Sequence, residues 1–160
     1  MARFDLIPAR LEHIFTVAAN MRDSDRLEVE AMGYEPIPAL AGGLRVSTKA
    51  WTGLVDGRPC LIGGVCPSSI LGGIGVPWLL GTDDISRVRK QFLRQALECR
   101  NECLRMYPVL RNNVDQRNTV AIRWLEWLGF DIGPAVELGV NGELFHPFEL
   151  RAQNVHSVYQ

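Results

Sequence analysis

The run Asn112-Asn113-Val114-Asp115-Gln116-Arg117-Asn118-Thr119-Val120-Ala121-Ile122-Arg123-Trp124-Leu125-Glu126-Trp127-Leu128-Gly129-Phe130 decides the fold. It reads as the end of a strand, a polar turn, an amphipathic helix and a glycine stop. Asn118 or Thr119 can cap the helix, because a short polar side chain accepts from the unpaired amides of the first turn. Ala121, Trp124, Leu125 and Leu128 recur at i, i+3, i+4 and i+7 and form one apolar face. Gly129 stands where a helix leaves through a left-handed residue, and Phe130 packs back.

Upstream, Pro108 ends a helix that runs from Ile85 to about Met106, and Val109-Leu110 begins the strand leading into the quoted run. Val88, Phe92, Ala96, Cys99 and Cys103 make the buried face of that helix. Asp83 and Asp84 complement the positive end of its dipole. Three antiparallel strands precede it. Ala50 to Val55 turns through Asp56-Gly57, a two-residue hairpin signal, into Pro59 to Val65. A turn over Ser68 to Gly73 then gives Ile74 to Leu80, where Pro77 calls for a bulge or an edge. Before these, Arg3 to Pro8 reads as a strand and Ala9 to Met21 as a helix with Leu11, Ile14, Phe15 and Ala18 on one face. A second helix capped by Arg22-Asp23-Ser24-Asp25 carries Leu27, Val29 and Met32 and stops at Gly33. Tyr34 to Leu44, with two prolines and a Gly-Gly pair, reads as a loop or short helical turns. Beyond Phe130, Ala135 to Val140 and Leu144 to Leu150 form a closing hairpin around Asn141-Gly142.

The whole is 160 residues, the size of one domain. The reading is a single domain over residues 1–151 and a polar tail over 152–160. A net charge of −1 gives no basis for wholesale nucleic-acid or anionic-membrane binding. Met1-Ala2-Arg3-Phe4-Asp5 meets charge at once and lacks the apolar core of a signal peptide. The run Ile70 to Gly81 is too short and glycine-rich to span a bilayer. A cytoplasmic compartment is therefore the default. Cys60, Cys66, Cys99 and Cys103 suit it as buried reduced thiols, since no histidine pair or Cys-x-x-Cys completes a metal set.

The spacing Asn118-x-x-Ala121 followed by Leu128-Gly129-Phe130 resembles the last helix of the GNAT (GCN5-related N-acetyltransferase) superfamily, and the element order matches that fold over nearly the whole chain. The resemblance implies a mixed α/β domain whose mostly antiparallel, twisted sheet has about six to seven strands flanked by about four helices. It implies further that the fourth strand parts from the fifth and that acetyl-CoA or another acyl-CoA lies in the gap. On it, Trp78, Leu79, Leu80 and Gly81 present strand amides to the cofactor, Arg87 and Arg89 balance its phosphates, and Asn118 lies beside it or simply caps its helix. Asp115, Glu137 and His146 are the candidates for a catalytic base at the ends of the later strands, with Asp115 and His146 put forward. More closely, Gly75 to Asp83 together with Arg117-Asn118 and Arg123 to Phe130 resembles a bacteriophage family described as GNAT-like or as internal virion proteins.

The chain departs from the superfamily pattern in two features. Asp83 and Asp84 stand where a glycine-rich turn would cradle a pyrophosphate, and Leu125 replaces a tyrosine that would protonate the departing thiolate. Two expectations follow. One is an acyl-CoA-dependent N-acyltransferase acting on a small-molecule amine or a protein in the cytoplasm of a bacterial host. The other is a GNAT-shaped protein that has lost catalysis and binds a host or virion protein. Direct nucleic-acid binding is disfavoured, because carboxylates dilute the basic helix and stacking aromatics are absent from it.

Overall fold

The computed structural model describes residues 1–68 and 71–155. Its core is one sheet, ordered β1-β2-β3-β4-β5-β8-β6 with β7 paired to β8. The strands are β1 (Phe4–Pro8), β2 (Lys49–Val55), β3 (Arg58–Pro67), β4 (Ile74–Gly81), β5 (Val109–Asp115), β6 (Asp131–Ile132), β7 (Val136–Glu137) and β8 (Leu144–Arg151). The helices are α1 (Ile14–Ala19), α2 (Asp23–Ala31), α3 (Pro36–Val46), α4 (Arg89–Met106) and α5 (Thr119–Trp127). Helices α1 to α3 pack over Ile62 and Leu80 on one face of the sheet. On the other face α4 and α5 pack over Leu61, Leu110 and Val114. Among the described residues no helix is long and apolar enough to cross a membrane.

The Asp56-Gly57 hairpin forms as expected, with Asp56 at φ 49° and Gly57 at φ 83°, the left-handed pair that a two-residue turn requires. The cap and stop expected around the helix after Asp115 also form. Asn118 accepts from the Ala121 amide at 3.3 Å, and Gly129 leaves the helix at φ 94°. The turn expected over Ser68 to Gly73 includes residues 69 and 70, which lie outside the described residues.

Several expectations are corrected. Residues 36–46 form a full helix, α3, despite Pro38 and Gly42-Gly43. Pro36 sits at the first helical position, where its missing N–H is harmless. Gly43 is required because a Cβ there would lie 2.9 Å from the Trp78 ring. In α1 the buried face is Ile14 and Val17, whereas Phe15 is exposed, and Leu11 stands exposed in a 3-10 turn (Leu11–His13) before the helix. In α2 the buried residues are Asp25, Val29 and Ala31, with Leu27 and Met32 exposed. Neither Asp23 nor Asp25 caps α2.

The long helix is interrupted at its start. Asp83–Val88 form a 3-10 segment capped by Thr82, and α4 begins at Arg89. Asp83 and Asp84 therefore stand a turn upstream of the α4 terminus they were expected to serve. A further strand, β6, joins β8 ahead of the closing hairpin. Ala152–Asn154 make a 3-10 turn and Val155 enters the core, so the expected tail begins as ordered chain. Residues 156–160 of that tail lie outside the described residues.

Candidate functional site: a cleft between two splayed strands

Strands β4 and β5 run parallel but pair only at Ile74↔Val109 and Gly75↔Leu110. The next rung explains why they part. Continuing the register would have the Pro77 nitrogen donate to Arg111, and proline has no N–H. One rung further, the Asn113 amide would reach the Pro77 carbonyl. The Asn112 side chain takes both ends instead: its Nδ2 donates to the Pro77 oxygen at 2.8 Å, and its Oδ1 accepts from the Asn113 amide at 2.8 Å. One carboxamide thus spaces the strands, and beyond it they diverge. Pro77 keeps its place opposite Val65 without a shift in register, so it marks an open edge rather than a bulge.

The open edge of β4 can be read residue by residue. Thr82 donates to the Cys60 oxygen and Ser68 to the Ile74 oxygen. Antiparallel alternation then turns Trp78 and Leu80 towards β3, and Pro77, Leu79 and Gly81 towards the gap. Of the four strand residues assigned to a cofactor, Leu79 and Gly81 face the cleft with their backbone groups.

Helix α2 reaches across this gap. The Gly81 amide donates to Asp25 Oδ2 at 2.9 Å, and the Gly81 oxygen accepts from the Arg22 amide at 2.9 Å. Asp25 is buried, paired with Arg22 at 2.8 Å, and accepts from Asn118 Nδ2 at 3.0 Å. The Arg22 guanidinium lies over the Trp124 ring at 4.7 Å. On the other arm, Glu28 Oε1 accepts from the Asp115 amide at 2.6 Å. Asn118 therefore serves both as helix cap and as a donor to the Asp25 carboxylate.

A cavity of about 650 Å³ occupies the gap and runs between α4 and α5. Ala121, Trp124, Leu125 and Leu128 line it, which is why the apolar face of α5 has no fully buried residue. Phe92 and Trp124 meet at 4.8 Å between the two helices. Cys99 and Cys103 also line it; burial pushes both thiols up to about 12, so they act as apolar wall.

The two residues put forward as catalytic are placed differently. Burial alone would raise the Asp115 pKa, but two side-chain bonds and an amide from Arg117 outweigh it and hold the carboxyl below the usual range. Asp115 is thus a fixed anion at the end of β5. His146 lies on β8 with Nδ1 at 2.8 Å from the Gly133 oxygen and is not among the residues lining the cavity. Arg87 pairs with Asp56 at 3.3 Å and Asp84 at 3.8 Å. Arg89 is exposed at the first turn of α4, whose N-cap, Val88, offers no side chain to the free amides.

Glu28 is the group that sequence reading missed. Desolvation pushes its pKa up to about 7; the charges of Asp25 and Asp115 add to that, against the Asp115 amide and Arg22. A carboxyl held near neutrality in a cleft is suited to take a proton at working pH. The signal was present as Arg22, Asp25 and Glu28 at intervals of three, on the helix face that carries Val29.

The fold is that of the GNAT acetyltransferases. An acetyltransferase of the GNAT family from Streptococcus pneumoniae superposes with a TM-score of 0.63 at 12% identity, covering 93% of this chain and 99% of that one. A putative acetyltransferase, yncA, from Salmonella typhimurium, solved with its cofactor acetyl-CoA, gives 0.65 at 13%, covering 93% and 94%. A GCN5-related N-acetyltransferase from Kribbella flavida gives 0.67 at 15%, covering 92% and 97%. No family model matches the chain, and no curated protein matches it in sequence.

Proposed function

We propose that this chain is an N-acyltransferase that draws on an acyl-CoA, and the splay of β4 from β5 is the observation that carries the reading. The residues present fit such a cofactor at three points. The cleft-facing N–H and C=O of Leu79 offer strand-like bonds to the amides of a pantetheine arm. The apolar face of α5 and the wall of α4 provide a dry channel for it. The uncapped start of α4, beside Arg87, Arg89 and Lys90, offers amides and positive charge to phosphates. Acyl-CoA would supply the acyl group as an activated thioester.

The chain's own contribution is then positioning and proton transfer. An amine must lose a proton before it can attack, and Glu28 is the cleft group whose affinity for protons is matched to that step. Asp25 and Asp115, each tied to an arginine, hold α2 against both strands and keep Glu28 in place. Leu125 has no proton to give to the leaving group.

The bacteriophage resemblance of Gly75 to Asp83, Arg117-Asn118 and Arg123 to Phe130 supports a setting in the cytoplasm of a bacterial host. The acceptor is accordingly a small amine or an amino group on a host or virion protein. A second reading is favoured by one observation: Asp25 already occupies the Gly81 amide, and Phe92 meets Trp124 across the channel. On that reading the cofactor route is closed and the chain binds a host or virion protein. Incubation with acetyl-CoA and a panel of amines, with products read by mass, separates the two. An acetylated product that disappears in Glu28→Gln supports the transferase; no product from any amine supports the binder.

A further inference from the structure

The face of the cleft towards α2 and α3 differs from the α4–α5 side. Val76 and Trp78 project to this face, since Trp78 packs with Ile62 and Leu80 beneath the first three helices. Tyr34 and Ala39 close it from the segment after α2, and Glu28 and Asn113 supply its polar groups. The Trp78 ring is fixed in place: its Nε1 donates to Ser47 Oγ at 2.8 Å, and Gly43 lies beneath it with no room for a Cβ.

Charge at this mouth can be counted. Asp25 and Glu28 are the carboxylates among the described cavity-lining residues. Asp25 is matched by Arg22, and neighbouring Asp115 by Arg117 at 2.7 Å. Among the described residues Glu28 makes no ion pair, and its Oε1 accepts from the uncharged Asp115 amide. One carboxylate without an ion pair of its own therefore faces an aromatic and apolar wall.

We infer that this mouth binds a primary monoamine on an apolar, aromatic skeleton, with the ammonium at Glu28 and the ring against Trp78 and Tyr34. A single carboxylate pairs with one cation. The further ammonium groups of a polyamine would have to be desolvated against Trp78, Val76 and Ala39 with no second anion to meet them. A neutral analogue keeps the ring contact and loses the charge-assisted hydrogen bond. Calling this site the acceptor site rests on the transferase reading, whereas the binding itself does not.

The test is calorimetric titration of the full chain, without acyl-CoA, with phenethylamine, phenethyl alcohol and spermidine at pH 7.5. Phenethylamine should bind at least about tenfold tighter than either of the others. Glu28→Gln should remove that advantage and leave phenethyl alcohol unchanged. Glu28 is surrounded by Asp25, Arg22, Asp115 and Arg117, of which the two aspartates are already paired. Repeated at pH 6, below the value of about 7 at which desolvation holds Glu28, binding of the ammonium should release a proton from Glu28, seen as a dependence of the heat on the buffer. Spermidine binding as well as phenethylamine, equal affinity for alcohol and amine, or no binding by any of them overturns the inference. Acetyl-CoA is titrated in parallel. If phenethylamine binds and acetyl-CoA does not, the transferase reading falls and this one stands. If acetyl-CoA binds and its acyl group passes to spermidine but not to phenethylamine, the reverse holds.

Discussion

Replacing Glu28 by glutamine tests the electrostatics of the cleft through stability as well as through activity. The carboxyl moves from an ordinary 4.5 to about 7 on folding, chiefly through desolvation. The native state therefore holds a proton that the unfolded chain has released between those values. Stability associated with this group is complete below about pH 4.5 and is lost as pH rises through about 7, because the native state must then carry a buried charge. At about 1.36 kcal/mol per unit, the shift amounts to roughly 3 kcal/mol. Glutamine keeps the shape and an oxygen for the Asp115 amide, and it cannot ionise. The variant should match the parent at pH 4.5 and exceed it by up to about 3 kcal/mol at pH 8. Urea unfolding followed by circular dichroism resolves this readily, since slopes are about 1–3 kcal/mol per molar. Acyl transfer at pH 8 should fall by about 10²-fold or more, the ordinary loss on removing a general base. Parallel stability curves for the two proteins, or a variant less stable at pH 8, would refute the account of Glu28.

Three further substitutions probe the frame around it. Asn112→Ala removes the carboxamide that bridges Pro77 and Asn113; thermal unfolding should show a loss of about 1–2 kcal/mol, with faster amide exchange at Asn113. Asp25→Ala strands the buried Arg22 and the Gly81 amide, and should destabilise by about 3–5 kcal/mol; a change under about 1 kcal/mol would show that α2 is not clamped to β4. Leu125→Tyr places a phenol on the cavity wall and should raise kcat severalfold towards about tenfold by supplying a proton to the leaving thiolate. An unchanged kcat, with the variant folded, would place the leaving group away from α5.

How far the sequence foretold this molecule depends on what each residue answers to. Helix α5, its Asn118 cap and its Gly129 exit were legible because cap, periodicity and stop are all local. The hairpin at Asp56-Gly57 was legible for the same reason. Helix α3 was not: Pro38 and Gly42-Gly43 argue against a helix locally, and only packing against Trp78 makes Gly43 the residue that fits. The site was half legible. Resemblance led to β4, β5 and Asn118, and Pro77 already carried the cause of the splay. Its central group was hidden because Arg22, Asp25 and Glu28 look like the solvated start of a helix. They are buried because diverging strands leave backbone edges that something must satisfy, and that need arises 56 residues away at Gly81 and 87 residues away at Asp115. Asp115 was picked out for its position, but Arg117 fixes its charge, which no spacing rule conveys.

The central claim is that the open edge of β4 at Leu79 receives a pantetheine arm. Acetyl-CoA titration of the wild-type chain and of Leu79→Pro, read by thermal unfolding, tests it most directly. Proline removes the cleft-facing N–H and also the Leu79 side chain that packs beside Val55, Leu61 and Phe92, so the unliganded variant should melt below the parent, and each shift is read from that protein's own unliganded melting point. At a hundredfold excess over its dissociation constant acetyl-CoA should stabilise the wild type by about 2.7 kcal/mol, a rise of about 5–10 °C for a chain of this size. The same concentration should move Leu79→Pro much less. No shift of the wild type at millimolar acetyl-CoA, or equal shifts in both proteins, would contradict the claim.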